Sequence, residues 1–158
     1  MRHSSFYKSF SNSTTYKIDA KENAYLYVKK SQIPDSGNGL FTAIPIYKDE
    51  VIAIFKGEVL SAKEAKHRAF KKDDTFFILL PDGKILDSMH FKCFAKYAND
   101  AFGLVRTKYK INSRISINEN GNVCLTAIRP ILAGEEIFCK YGKEYWRERK
   151  LKIRTKVI

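Results

Sequence analysis

The chain has 158 residues, 44% hydrophobic and 29% charged, and a net charge of +12 from 29 Lys and Arg against 17 Asp and Glu. That length and composition describe one globular domain able to bury roughly two-thirds of its unfolded surface without disulfide or metal staples, and they exclude a disordered or fibrous chain. No apolar run approaches the ~20 residues of a membrane span and no secretory leader is legible, so an intracellular protein without a membrane partner is expected, with nucleus and cytoplasm unresolved.

The cation excess suits an anionic partner as well as it suits an ordinary lysine-rich surface. A weak nucleic-acid contact through that surface is expected, although no discrete nucleic-acid motif stands out. Cys93, Cys124 and Cys139 are odd in number and contain no Cys-x-x-Cys pair, which points to a reducing compartment. His90-x-x-Cys93 offers only two ligands, short of a tetrahedral set, so no metal is expected.

Residues 1–22 are rich in Ser, Thr, Asn and Lys and show no clean period. They read as a flexible or loosely docked arm. From Tyr25 to Lys29 the pattern alternates with period two, a strand. Pro34-Asp35-Ser36-Gly37-Asn38-Gly39 then forces a loop suited to positive φ, and Leu40–Ala43 is a short apolar strand. A turn at Pro45–Glu50 leads to a buried strand, Val51–Phe55. Ser61 and Glu64 have capping-box spacing ahead of a helix with a weak apolar face, Ala62, Ala65, Ala69 and Phe70.

Phe76–Leu80 and Ile85–Asp87 flank the turn Pro81-Asp82-Gly83-Lys84. Phe91–Ala98 is apolar with a turn or two of helix, broken by Asn99-Asp100. Ile111–Ile117 and Val123–Ile128 flank Asn120-Gly121, a strong tight-turn signal. Ile137–Tyr141 reads as the last strand, and Tyr145–Lys152 as a short basic helix. An echo runs through the chain: Thr42-Ala43-Ile44-Pro45-Ile46 with Asp49-Glu50 resembles Thr126-Ala127-Ile128-Arg129-Pro130-Ile131 with Gly134-Glu135-Glu136. Many short strands with minor helix and no βαβ alternation define a mostly β fold with minor α.

Three stretches carry chemistry. Gly37-Asn38-Gly39 can bring main-chain groups close to a ligand because no side chain intervenes, although it reads equally as a surface turn. Asn99-Asp100 sits among Phe94, Ala95, Tyr97, Ala98, Ala101 and Phe102, and buried polar groups there need partners; a helix cap would serve as well. Tyr141, Tyr145 and the single tryptophan, Trp146, fit a core cluster or an aromatic channel that accepts an aliphatic amine. No Gly-x-Ser-x-Gly, P-loop or His-Glu-x-x-His is present.

In order, Ser36-Gly37-Asn38-Gly39-Leu40-Phe41, Phe55-Lys56-Gly57-Glu58, Lys96-Tyr97-Ala98-Asn99-Asp100-Ala101 and Gly134-Glu135-Glu136-Ile137-Phe138-Cys139-Lys140-Tyr141-Gly142 resemble the motifs of the SET-domain protein lysine methyltransferases. The resemblance covers about Tyr25 to Arg149. It implies a SET-type fold of several short sheets with a pseudoknot-like C-terminal threading, a SET domain at 23–149 and a basic tail at 150–158. It implies transfer of a methyl group from S-adenosylmethionine, leaving S-adenosylhomocysteine, to a lysine amine of a histone or another protein.

The resemblance further implies a cofactor site at Gly37, Asn38, Gly39, Asn99, Asp100, Tyr141 and Trp146. It puts catalytic roles on Tyr145, which would orient the amine, and Tyr141, and a substrate channel at Phe76 and Phe77. Asp100 stands where the family motif has histidine, Phe55 where it has tyrosine, and Cys139 where many members have Phe or Tyr. The cysteine-rich flanking segments of many members are not read in these 158 residues, so their zinc sites are not expected here. Asp100 and Phe55 keep open an alternative, a weak or inactive SET-fold module that binds chromatin or nucleic acid. The acidic residues Asp73, Asp74 and Asp87 are candidates for a groove that would accept a basic substrate. Substrate identity, methylation degree and oligomeric state are not legible.

Overall fold

The computed structural model describes residues 7–9, 16–71, 74–103 and 106–154. In chain order the strands are β1 (Tyr7–Ser9), β2 (Tyr16–Ile18), β3 (Leu26–Lys30), β4 (Asn38–Thr42), β5 (Val51–Ile54), β6 (Glu58–Leu60), β7 (Phe77–Leu79), β8 (Ile85–Asp87), β9 (Ser113–Ile117), β10 (Val123–Ala127) and β11 (Glu136–Ile137). The helices are α1 (Ala62–Phe70) and α2 (Lys143–Arg154), with single 3-10 turns at Glu22–Ala24 and Ala95–Tyr97. The ladders are antiparallel and form four small sheets, β1-β2, β5-β10-β9, β11-β4-β3 and β6-β8-β7. This is the mostly β, SET-type arrangement of short sheets.

Local chemistry accounts for most elements. β4 is buried along Gly39, Leu40, Phe41 and Thr42 because β3 and β11 cover both its edges. The Ser61 hydroxyl accepts the Glu64 N–H, and the Glu64 carboxylate accepts the Ser61 N–H, so the capping box forms as its spacing predicts. The turns at Gly83 and Gly121 take φ of 80° and 78°, values that glycine adopts without steric cost.

Other elements differ from expectation. The apolar face of α1 is weaker than its sequence suggests: Ala65 is buried, while Phe70 stands 89% exposed. The helix is tied down instead by Arg68, which donates to Asp87 and to Glu58, each at 2.6 Å. Asp87 is buried and also accepts the Met89 N–H, so it does not line an acidic groove. Asp73 lies outside the described residues. Of the N-terminal arm, residues 1–6 and 10–15 also lie outside them. The rest forms the β1–β2 ladder, and Ile18 and Ala20 pack on the core.

The internal echo is a structural pair. Ile46 and Ile131 exchange both backbone hydrogen bonds, at 2.8 and 2.9 Å. Around them the bonds repeat: Asp49 N–H donates to Ala127 O and Gly134 N–H to Thr42 O, while Ala127 N–H donates to Glu50 O and Thr42 N–H to Glu135 O. Asp49 and Gly134 both take positive φ, 68° and 83°. Glu50 and Glu135 each accept the N–H three residues earlier, from Tyr47 and Leu132. The two corners are thus related by a local pseudo-twofold axis. Thr42 pairs in role with Ala127 rather than Thr126, because Arg129 is an extra residue ahead of Pro130.

The last strand is shorter than its pattern. Only Glu136 and Ile137 pair with β4, and Phe138 then leaves that ladder. The Phe138 carbonyl accepts N–H groups of Asn112 and Ser113, at 3.2 and 3.0 Å, and its N–H donates to Asn112 Oδ1. On its other side Phe138 forms a parallel bridge to Asn99, and Cys139 N–H donates to Asn99 O at 2.9 Å. Residues 136–139 therefore pass between residues 98–100 and 112–113, which is the chain crossing the family resemblance implies.

The turn ahead of this crossing is held by one ammonium. Lys96 Nζ donates to the carbonyls of Ser88, Met89 and Phe91 and lies over the rings of Phe76 and Tyr97. Lys96→Met keeps the stem and removes these charge-assisted bonds. It is expected to lower unfolding stability by about 2 kcal/mol, read from the urea midpoint.

Candidate cofactor and lysine-channel site

Three loops converge on one buried carboxylate. Glu136 has no solvent exposure. Its Oε1 accepts the Ser31 hydroxyl at 2.6 Å, and its Oε2 accepts the Gln32 N–H at 2.7 Å. Asn99 Nδ2 lies 3.5 Å from Oε1 and donates at 2.9 Å to Asn38 O. A Cβ at Gly39 would overlap Glu136 Oε1. Gly39 is therefore glycine because the carboxylate fills the space a side chain would need. Gly37 differs: its φ is 67°, and nothing lies within 4 Å of a Cβ there. Its carbonyl accepts the Ser31 N–H at 2.9 Å, closing the loop.

The structure places the expected residues as follows. Gly37, Asn38 and Gly39 begin β4, and the Asn99 amide holds Asn38 from the crossing. Asp100 is 6% exposed. Its Oδ1 accepts the Phe102 N–H, and its Oδ2 accepts both the Tyr141 N–H at 2.9 Å and the Trp146 indole N–H at 2.8 Å. The carboxylate is thus engaged with the chain itself and anchors the start of α2.

Tyr141 stacks on Trp146, with centroids 5.9 Å apart and 13° between planes, and meets Tyr145 edge-on at 4.8 Å. Its hydroxyl donates to Ala98 O at 2.8 Å. Burial, with Cys139, Tyr145 and Asp100 nearby, pushes the Tyr141 phenol well above its ordinary pKa, so it stays a neutral donor. Burial also raises the Cys139 thiol, which contacts Ala98 O and remains protonated. Phe76 lies under the Lys96 ammonium, and Phe77 stands opposite Asp87 in the β7–β8 ladder.

Two residues of this arrangement escape sequence reasoning. Glu136 is one; its only signal is an acid directly followed by Ile137-Phe138-Cys139, and Glu135 beside it looks alike. Gly103 is the other. A Cβ there would stand 2.7 Å from Trp146 Cη2, so the indole lies against bare backbone. No local pattern announces that contact.

With the crossing and the site in view, the chain belongs to the SET domain family, which it matches over residues 37–142. It is 32% identical over 127 residues to the histone-lysine N-methyltransferase EZH2 of Chaetomium thermophilum, covering 73% of this chain and 8% of that protein. It is 24% identical over 131 residues to the histone-lysine N-methyltransferase SETD7 of Halocynthia roretzi, covering 80% of this chain and 34% of that protein. Among solved structures, an active polycomb repressive complex 2 in the basal state aligns with a TM-score of 0.63 and 30% identity over 75% of this chain and 15% of that one. A Chaetomium complex in an autoinhibited conformation bound to S-adenosylmethionine aligns with a TM-score of 0.63 and 28% identity over 84% of this chain and 17% of that one. The chain spans about a third or less of the length of these relatives.

Two substitutions test the geometry. Gly39→Ala, which must displace Glu136, is expected to cost about 1–3 kcal/mol as overpacking. Gly37→Ala is expected to cost about 1 kcal/mol from φ alone; denaturant unfolding of both variants checks the order. Asp100→Asn cannot offer one oxygen to two N–H donors and a second to Phe102. The emission of Trp146, the single tryptophan, is expected to shift to the red as the indole loosens.

Proposed function

We propose that this chain is a protein-lysine N-methyltransferase that uses S-adenosylmethionine, with a histone lysine as its substrate. The observation that supports this best is the meeting of the Gly37–Gly39 loop, Asn99 and the threaded Glu136–Tyr141 segment around one carboxylate, beside the Tyr141–Tyr145–Trp146 cluster. The family, and relatives named histone-lysine N-methyltransferases, point the same way.

The residues present fit S-adenosylmethionine. Open space over Gly37, exposed main chain at Asn38 and the Asn99 amide form an edge that a polar zwitterion can approach. The aromatic faces of Tyr141 and Trp146 favour a cation and a flat base. Gly37, Asn38, Gly39, Asn99, Tyr141 and Trp146 would hold the cofactor, with Asp100 setting the positions of Tyr141 and Trp146. When bound, the cofactor supplies an electrophilic sulfonium methyl.

The chain does the rest by placement. A lysine amine with pKa ~10.4 must lose its proton to solvent before its lone pair can attack. An aromatic channel disfavours the ammonium form by excluding water. The Tyr145 hydroxyl then orients the neutral nitrogen. The Tyr141 ring, fixed by its bond to Ala98 O, walls the channel from the side. Phe76 and Phe77 are kept as candidates for the channel's outer wall. The gain comes from alignment and water exclusion rather than from covalent chemistry by the protein.

The test pairs two measurements. Calorimetry is expected to show S-adenosylmethionine binding, and radiolabel transfer is expected onto histones. Tyr145→Phe is expected to lose turnover about 100-fold with cofactor affinity kept. Cofactor binding without transfer to any histone or lysate protein would leave an inactive SET-fold module as the reading, and absence of binding would reject the enzyme.

A further inference from the structure

The positive charge is concentrated. Segments 101–118 and 139–154 together hold eleven Lys and Arg against two carboxylates, Glu144 and Glu148, so they carry nine of the twelve net charges. They are far apart in sequence, and the tertiary structure joins them. Trp146 of α2 lies on Gly103, and Gly103 lines a cleft of about 760 Å³ together with Phe102, Arg106, Lys108, Tyr109 and Lys110. Arg106, Lys108 and Lys110 are exposed.

On α2, Lys143, Arg147 and Lys150 are exposed and spaced i, i+4, i+7, a single stripe about 10 Å long. Arg147 pairs with Glu144; among the described residues, no carboxylate pairs with Arg106, Lys108, Lys110, Lys143 or Lys150. An ordinary solvated surface interleaves both signs about equally, and here cations outnumber carboxylates eleven to two.

We propose that this face, the cleft lined by Phe102, Gly103, Arg106, Lys108, Tyr109 and Lys110 with the cationic stripe of α2, binds duplex nucleic acid. A duplex presents about one negative charge per 1.7 Å of axis, and neutralising its phosphates releases condensed counterions. Five uncompensated cations, with Arg147 beside them in its pair with Glu144, lie on a helix and an adjoining cleft and match that density. An acidic peptide presents fewer charges and must be ordered to use them. Because Tyr145 and Trp146 lie on the same helix as the stripe, a bound duplex would lie beside the lysine channel. That last consequence rests on the methyltransferase reading, which would then act on lysines near DNA; the binding itself does not rest on it.

The test is fluorescence anisotropy of an end-labelled 20-base-pair DNA duplex with the full chain, from 50 to 200 mM KCl. If about six phosphates are engaged, log K is expected to fall with log[KCl] with a slope near −5, a loss of roughly 10³-fold over that range. The triple variant Arg106→Glu, Lys143→Glu, Lys150→Glu is expected to weaken binding at least about 30-fold and to reduce the slope by about 3. A control with the same charge change on α1 and the residue that follows it, Lys63→Glu, Lys66→Glu, Lys71→Glu, is expected to change the slope by less than about 1. Circular dichroism melting of both variants confirms folding.

Equal weakening by the two variants, or no salt-dependent binding, overturns the proposal. Competition by polyglutamate as effective as by DNA of equal charge also overturns it, in favour of an acidic protein partner. Cofactor calorimetry on the triple variant separates the two readings. Intact S-adenosylmethionine binding with lost DNA binding in the triple variant supports the surface, intact DNA binding in that variant overturns it, and DNA binding by the unsubstituted chain without cofactor binding strikes only the methyltransferase.

Discussion

The Glu136 carboxylate is the constraint on which the site depends. A buried charge is costly unless its lone pairs are satisfied. Here no cation pairs with it among the described residues, and polar groups from two loops take that role: Ser31 and Gln32 ahead of β4, and Asn99 at the crossing. This solution dictates the surroundings. Gly39 must lack a side chain because the carboxylate occupies its place. Asn99 must come within reach, which also puts its amide on Asn38. The two-residue pairing of β11 with β4 then aims Phe138 into the gap between Asn99 and Asn112. One carboxylate thereby sets the register of the threaded segment and delivers Tyr141 to its position.

The paired corners supply the frame for that threading. Each combines a proline, a residue at positive φ and a glutamate that accepts a nearby N–H, and the two copies bond to each other through Ile46 and Ile131. Burying unpaired backbone is expensive, and reciprocal bonding satisfies both corners at once. The second corner leads directly into Glu136. The echo in sequence is therefore the trace of a symmetric joint that fixes where the threaded segment begins.

Asp100 ties the crossing to the last helix. Its side chain bonds the Tyr141 N–H and the Trp146 indole, so it couples the crossing to α2. The aromatic trio is held from the other side by Gly103, whose bare backbone admits the indole. These contacts hold the start of α2 against the crossing. The same contact joins α2 to the segment that carries Arg106, Lys108 and Lys110.

Much of this protein is legible in its sequence, where the determining interactions are local. Period-two alternation marks β3 and β9, Asn120-Gly121 marks the tight reversal between β9 and β10, and Ser61 with Glu64 marks the start of α1, because each depends on residues a few positions apart. The order of the Gly37–Gly39, Asn99-Asp100 and Glu136–Tyr141 stretches is also legible as a family pattern. What only the tertiary structure decided is which of two adjacent glutamates is buried, what Asp100 bonds, why Gly39 and Gly103 lack side chains, and that α2 meets the segment at Gly103. Local pattern favoured too long a final strand, Ile137–Tyr141, because the apolar run looks continuous while the partners of Phe138 lie at Asn99 and Asn112. Each of these outcomes is a contact between residues tens of positions apart. Short-range periodicity carries no record of such a contact, since its energy exists only once the chain has crossed itself.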